Sequence, residues 1–266
     1  MASQPTAYLC SYPKSGRTWM RYALVELLDA EYGLGGFDMK NMFELIPNQD
    51  GDGLGPSWTT PEDYRYAERP EIPFIVMSHM AWEPQFTELP VLFLARSPGD
   101  VLVSHYHHRT RHDRKLEGAS LADFAADPDW GIADLVAYLA SWQPHLDDPN
   151  VTVMTYERLK AQPLEAFGVV AGALGVQATE QELQAALDAA SVDRMRKVEE
   201  ASGDWQPHAY DIEDPDARRV RKAKVGGWRE EMDPQTVQAL VAGIEGSPQA
   251  RELLERLDLM PDVAAA

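Results

Sequence analysis

The sequence predicts an α/β domain with a central parallel sheet flanked by helices. Its four short apolar runs are continuous rather than alternating, as strands covered on both faces of a sheet are. Helix-period stretches lie between and after those runs, an alternation that implies right-handed crossovers. The 266 residues, 44% hydrophobic and 25% charged, are enough for a substantial core and exclude whole-chain disorder or collagen-like repetition.

The predicted strands are Ala7–Tyr12, Phe74–Ser78, Val91–Ala95 and Val151–Tyr156. In Arg17–Glu31, Met20, Ala23, Leu24, Leu27 and Leu28 form one stripe, and Gly33, Gly35 and Gly36 end the helix. Ile132, Leu135, Leu139 and Trp142 mark a second helix, and Phe167, Val170, Ala171 and Leu174 a third. Thr179–Ala190 is a fourth, with Thr179 and Glu182 in capping-box spacing. There is no internal repeat or low-complexity tract. The chain reads as one domain over 1–266, with lid or acceptor loops at 35–73 and 196–228. Their irregular centres, 46–73 and 199–217, interleave Trp58, Tyr64, Tyr66, Trp205, His208 and Tyr210 with Gly, Pro and acidic residues.

Lys and Arg number 24 against 43 Asp and Glu, a net charge of −19. That argues against nucleic-acid or anionic-membrane partners. The cations are concentrated: Arg109, Arg111, Arg114 and Lys115 form one group, and Arg218, Arg219, Arg221, Lys222, Lys224 and Arg229 another. An acidic chain that gathers its cations points to a specific anion, with a solvated helix face as the alternative. The N-terminal residues show no signal-peptide pattern, and no run reaches the roughly 18–20 apolar residues that span a bilayer. A lone cysteine, Cys10, rules out an intrachain disulfide and fits a reducing compartment; the expected location is the cytoplasm.

The first predicted strand runs through Pro13-Lys14-Ser15-Gly16-Arg17-Thr18-Trp19 into a helix. Strand, tight loop and helix N-terminus form an anion cradle, because first-turn amides lack helical partners and the dipole favours negative charge. Gly16 allows close backbone approach, Ser15 and Thr18 add hydroxyls, and Lys14 adds a cation. The lysine precedes the glycine, so this is not G-x-x-x-x-G-K-[ST]. The longer string Tyr12 to Trp19 resembles the 5′-phosphosulfate-binding loop of sulfotransferases that use 3′-phosphoadenylyl sulfate (PAPS). Further elements follow in order. Arg96-Ser97-Pro98-Gly99-Asp100, with Ser104 eight residues after Arg96, resembles the family's 3′-phosphate element. Arg221-Lys222-Ala223-Lys224-Val225-Gly226-Gly227-Trp228 is similar to its Arg-Lys-Gly-x-x-Gly-Asp-Trp segment, with Ala223 in place of glycine and Gly227 in place of aspartate. Thr155-Tyr156-Glu157 and Ser191 to Met195 resemble segments that line the adenine pocket.

The resemblance covers residues 7 to about 230. It implies a P-loop-like nucleotide-binding fold and transfer of a sulfuryl group from PAPS, the cosubstrate, to a hydroxyl of a small-molecule acceptor, without a metal. It assigns the nucleotide to Lys14, Ser15, Gly16, Arg17, Thr18, Trp19, Arg96, Ser104, Tyr156, Ser191, Met195, Arg221 and Lys222, with Trp19 stacking on the base. His79 ends the second predicted strand, where α/β enzymes place ligand-facing groups. Alone it reads as well as a structural cap; in the family that position holds the catalytic base. The family string is Lys-Thr-His and here it is Met77-Ser78-His79, so Arg17 is a candidate for the missing sulfuryl-side cation. Lys14 would stabilise charge on the oxygen bridging sulfur and phosphorus. His105, His107, His108 and His112 lack a zinc motif and are expected at solvent or the acceptor cleft. The alternatives are a P-loop-like small-molecule kinase and a catalytically inactive nucleotide-binding module. The acidic balance favours a neutral, cationic or lipophilic acceptor, with Phe43, Trp58, Tyr64, Trp82 and Trp205 as candidate walls. The family's dimer signature is matched at Thr236-Val237 but not at Met232 and Val241, which leaves the oligomeric state open.

Overall fold

A computed structural model describes residues 4–37, 41–49, 64–201, 211 and 213–262. Four parallel strands form one sheet in the order β2-β1-β3-β4: β1 (Ala7–Cys10), β2 (Ile75–Ser78), β3 (Val91–Ala95) and β4 (Val151–Thr155). Alternate side chains enter two cores. Leu9, Met77, Leu92 and Met154 point to one face, and Cys10, Val76 and Phe93 to the other. Burial on both sides is why these strands read as unbroken apolar runs.

One face is covered by α1 (Arg17–Tyr32), α7 (Pro163–Ala173) and α8 (Glu180–Ala189). The other is covered by α3 (Pro98–His107), α4 (Leu121–Ala126), α5 (Ile132–Trp142), α10 (Pro234–Glu245) and α11 (Pro248–Arg256). Short helices α2 (Met42–Leu45) and α6 (Tyr156–Ala161), and α9 (Val192–Ala201), are the remaining α-helices among the described residues. The chain leaves β1 toward β2 and returns past β1 to β3. The order therefore reverses between β1 and β3, the position where open α/β sheets form a crevice beyond the strand ends.

The expected elements are present with local differences. β1 ends at Cys10 and β2 at Ser78, with the Ser11 amide still donating to Ser78 O at 3.0 Å. Tyr156 opens α6 rather than ending a strand, because the Thr155 hydroxyl accepts from the Arg158 amide and caps the helix. Pro163 starts α7 four residues ahead of the predicted helix, at the position where proline's fixed φ is favourable. Thr179 and Glu182 form the predicted capping box. Part of each expected loop is helical: α2 lies within 35–73, and α9 continues to Ala201 inside 196–228.

The start of α3 is bound to a distant segment. Gly99 packs flush against the indole of Trp228, so a Cβ there would stand 2.6 Å from the ring. The Asp100 carboxylate accepts from the amides of Gly226 at 2.7 Å and Trp228 at 3.1 Å. Gly99→Ala is expected to push Trp228 out and cost about 1–3 kcal/mol by overpacking. Chemical denaturation would read this as a lower midpoint, and an unchanged midpoint would contradict the packing.

Candidate functional site

Beyond the C-terminal ends of β1 and β3 lies a cavity of about 490 Å³. Its floor is the turn between β1 and α1. Lys14 takes φ +69° and Gly16 φ +104°, so two left-handed residues fold the chain back before the helix. Gly16 is the α1 N-cap, has no side-chain cap, and is followed by a first turn without an acid. The α1 amides and dipole are thus directed at the cavity without a local carboxylate. A Cβ on Gly16 would fall 2.6 Å from the Tyr156 ring, so glycine is required both for conformation and for space.

The second wall comes from β3 and α3. Arg96 Nη1 donates to Lys14 O at 3.0 Å and Nη2 to Lys224 O at 3.2 Å, and its guanidinium lies 4.4 Å from the Tyr156 ring centre. One side chain therefore joins the turn, α6 and the 219–224 segment. Ser104 lines the cavity from the same helix. Glu157 accepts from the Ser97 amide at 2.9 Å and holds the β3–α3 corner.

The third wall is 219–227, held by α9. Glu199, which is buried, accepts from the amides of Arg219 at 2.7 Å and Val220 at 3.3 Å. Arg196 donates to the carbonyls of Val220 and Arg221. Ala223 takes φ +50°, the left-handed conformation that the glycine of the resembled motif would adopt without strain. At Gly227 a Cβ would lie 3.9 Å from Asp100 Oδ1. An aspartate there would set two carboxylates side by side, and Asp100 already holds the turn. Arg221 and Lys222 both donate to Glu231, which also meets His107 Nε2 at 2.6 Å. Burial raises the Glu231 pKa, but hydrogen bonds from Lys222, His107 and Arg221 prevail and bring it to about 2.

The predicted residues Lys14, Gly16, Arg17, Thr18, Trp19, His79, Arg96, Ser104, Tyr156, Arg221 and Lys222 all line this cavity. Ser15 is buried beneath it, and Ser191 and Met195 stand outside its lining, Met195 in the core beside α1. Trp19 donates from Nε1 to Ala190 O at 3.0 Å and meets Tyr156 edge to face, which fixes its indole at the rim. Trp58 and Trp205 lie outside the described residues. Phe43 lines the cavity, whereas Tyr64 stacks on Phe74 and Trp82 on His145.

His79 lines the cavity and is partly exposed. Its Nδ1 is 2.6 Å from Ser11 O, so Nδ1 carries the proton and Nε2 holds the lone pair. Burial, Arg17, His105 and Arg21 hold its pKa well below the ordinary histidine range against the opposing Ser11 hydrogen bond. The imidazole is neutral and able to accept a proton. Lys14 is drawn down to about 7 by burial and by Arg219, Arg109 and Arg96, with Glu199 opposing.

Sequence reasoning placed four histidines at solvent or the cleft. All four are buried, and only His105 and His108 touch the cavity. They sit on α3 and on a π-helical turn, His108–His112, that carries Arg109 into the wall. Arg109 donates to His105 Nε2 at 3.1 Å and lies 3.6 Å over Trp130, and its charge and Lys14's keep these imidazoles neutral after burial has lowered them. Among the described residues no group of three or more His, Cys, Asp or Glu is arranged to hold a metal ion. Arg21 and Arg109 also line the cavity, though neither was assigned a ligand from the sequence. For Arg21 the signal was its four-residue spacing from Arg17 on α1.

A family profile described as sulfotransferase domain matches residues 4–258. The chain belongs to the sulfotransferase family. Sulfotransferase 6B1 of Danio rerio is 22% identical over 254 residues, covering 86% of this chain and 81% of that protein. Flavonol 3-sulfotransferase of Flaveria bidentis is 23% identical over 240 residues, covering 84% and 75%. Retinol dehydratase, solved in complex with androsterone and the inactive cofactor PAP, superposes with a TM-score of 0.68 at 16% identity, over 98% of this chain and 84% of that one. The chain thus shares the sulfotransferase fold. Among its described residues no helix is long and apolar enough to cross a membrane.

The crowding of cations around Lys14 has a direct readout. In side-chain NMR of lysine-labelled, ligand-free protein, one ammonium is expected to titrate near pH 7 and to vanish in Lys14→Met. A full set of ordinary midpoints near 10.4 would contradict the enclosure of Lys14.

Proposed function

We propose that this sulfotransferase moves a sulfuryl group from PAPS to a hydroxyl of a small-molecule acceptor in the cytoplasm, as one domain in which Phe43 and the stretch 219–224 border the cleft. The carrying observation is the convergence of the Lys14–Thr18 turn, Arg96 with Ser104, and Arg221 with Lys222 around one cavity that also contains His79. The fit to a nucleotide with anions at both ends rests on charge. Lys14 has a depressed pKa beside Arg96, Arg109 and Arg219, an arrangement that an anion relieves. Arg96 and Arg221 would grip the 3′-phosphate with Ser104 and Lys222, and the α1 amides would take the 5′-phosphate.

PAPS, when bound, supplies the sulfuryl group, and adenosine 3′,5′-bisphosphate (PAP) leaves as the new sulfur–oxygen bond forms. His79 Nε2 accepts the proton released by the acceptor hydroxyl, and Ser11 O stabilises the imidazolium through Nδ1–H. Lys14 offsets negative charge on the departing bridge oxygen. Arg17, buried against the His79 side, supplies positive charge to the sulfuryl oxygens. Such a loose displacement depends on placement and electrostatics. Phe43, Ala81, Ala137 and Tyr138 add apolar surface to the cavity lining, which Asp129 and Asp134 share. These walls favour a neutral, cationic or lipophilic hydroxyl compound over a polyanion.

His79→Ala is expected to abolish sulfated product, read by mass spectrometry of small-molecule extracts incubated with PAPS, while PAP binding stays within about twofold. Near-normal turnover would remove His79 from the chemistry. Arg96→Ala and Arg221→Ala should each weaken PAP binding in calorimetry by about 1.5–3 kcal/mol; unchanged affinity in both would refute the 3′-phosphate assignment. Wild-type turnover is expected to persist in EDTA, whereas the kinase alternative requires ATP and Mg²⁺.

A further inference from the structure

We propose that Glu231 is a positioning residue for the 3′-phosphate grip: it aims Arg221 and Lys222 at the cleft and sets them in register with Ser104 on α3. The proposal rests on the sulfotransferase reading above. The grip is built from two walls far apart in sequence, Arg96 and Ser104 on one side and Arg221 and Lys222 on the other. The main-chain ties of the second wall, from Glu199 and Arg196, fix the backbone of 219–221. They leave the long side chains of Arg221 and Lys222 to be ordered by something else, and rotamer freedom lost only on binding would weaken the grip.

Glu231 supplies that order. Its Oε1 accepts from Arg221 Nη1 at 2.8 Å and from Lys222 Nζ at 2.7 Å. Its Oε2 lies 3.1 Å from the same Arg221 nitrogen and 2.6 Å from His107 Nε2. One carboxylate therefore joins both cations to α3. His107 is three residues after Ser104 on that helix, so the tie lands one turn from the hydroxyl assigned to the phosphate. The side chains of Arg221 and Glu231 are 14% and 19% exposed, which protects the pair from the screening that weakens surface ion pairs. Glu231 is held in turn. Its amide donates to Trp228 O at 3.1 Å, just after the turn whose Gly226 and Trp228 amides bind Asp100. Its backbone is thus fastened to the start of α3 and its carboxylate to the end.

A carboxylate beside two phosphate-binding cations either aims them or competes with the phosphate. Two observations favour aiming. Arg221 and Lys222 line the cavity, and Glu231 stands outside its lining. Within the guanidinium, Glu231 and Asp216, the latter at 3.3 Å, take the same nitrogen, Nη1. The edge formed by Nε and Nη2 is the side that can meet two phosphate oxygens at once.

Calorimetry with PAP and with adenosine 5′-monophosphate (AMP) isolates this end of the nucleotide, because AMP lacks only the 3′-phosphate. In Glu231→Ala, PAP affinity should fall at least about fivefold while AMP affinity stays within about twofold. Glu231→Gln keeps an acceptor oxygen at the same reach and should recover most of the preference for PAP. In a protein already carrying Arg221→Ala and Lys222→Ala, Glu231→Ala should cost PAP less than about twofold more, since the groups it aims are gone. If Glu231→Ala does not fold, His107→Phe, which keeps a buried ring and ends the tie to α3, decides the question by a selective loss of PAP affinity. Unchanged or tighter PAP binding in Glu231→Ala, or equal losses for PAP and AMP, would overturn the proposal, and tighter binding would make Glu231 a competitor of the phosphate. A wild-type protein that binds PAP no more tightly than AMP would instead refute the 3′-phosphate assignment of the sulfotransferase reading, and the role of Glu231 with it.

Discussion

The site is organised by a single electrostatic constraint: cations are gathered and partly desolvated at one edge of a sheet in a chain of net charge −19. Lys14, Arg17, Arg21, Arg96, Arg109, Arg219 and Arg221 all border the same cavity. Mutual repulsion and lost hydration would disperse them if each were held only by its own loop. They are instead held by carbonyls, rings and a few buried carboxylates. Arg96 is bound to two backbone oxygens and a tyrosine ring, Arg109 to Asp113 and Trp130, and the 219–220 backbone to Glu199. The repulsion remains in the form of a depressed lysine and neutral histidines, and it is what an anionic ligand would relieve.

The same constraint accounts for the long-range ties. Phosphate-type elements come from three places in the chain, and hydrogen bonds between distant segments hold each in place. Asp100 holds the 226–228 turn, Arg196 and Glu199 hold 219–221, and Arg96 holds both Lys14 and Lys224. These contacts set relative position, on which a charge site depends more than on the number of its charges. Among the described residues, two of the four non-glycine residues at positive φ, Lys14 and Ala223, lie in two of those elements. Strain of this kind persists where the surroundings over-determine the backbone.

Most of the fold was legible because strand and helix periods are local. The four strands and the helices at Arg17, Ile132 and Glu180 follow directly from apolar spacing and caps. The phosphate-type motifs were legible because each is contiguous. Burial of the four histidines was not, since an imidazole carries no sign of its own exposure and the π-helical turn that rotates this stretch inward comes from packing. Tyr64 and Trp82 were equally open, because an aromatic ring in a polar stretch serves a core or a cleft alike, and both pack on other rings.

By itself, the sequence determined the layer architecture, the cradle at Lys14–Thr18 and the presence of paired cations for a phosphate. Those are properties of spacing and of short backbone turns. Only the tertiary structure decided that Arg21 and Arg109 join the cleft, that Asp100 stands where Gly227 lacks a carboxylate, and that His79 directs Nε2 as its lone-pair nitrogen. Each of those depends on which distant groups share one small volume. Desolvation and Coulomb interactions act through space, so no local pattern records them.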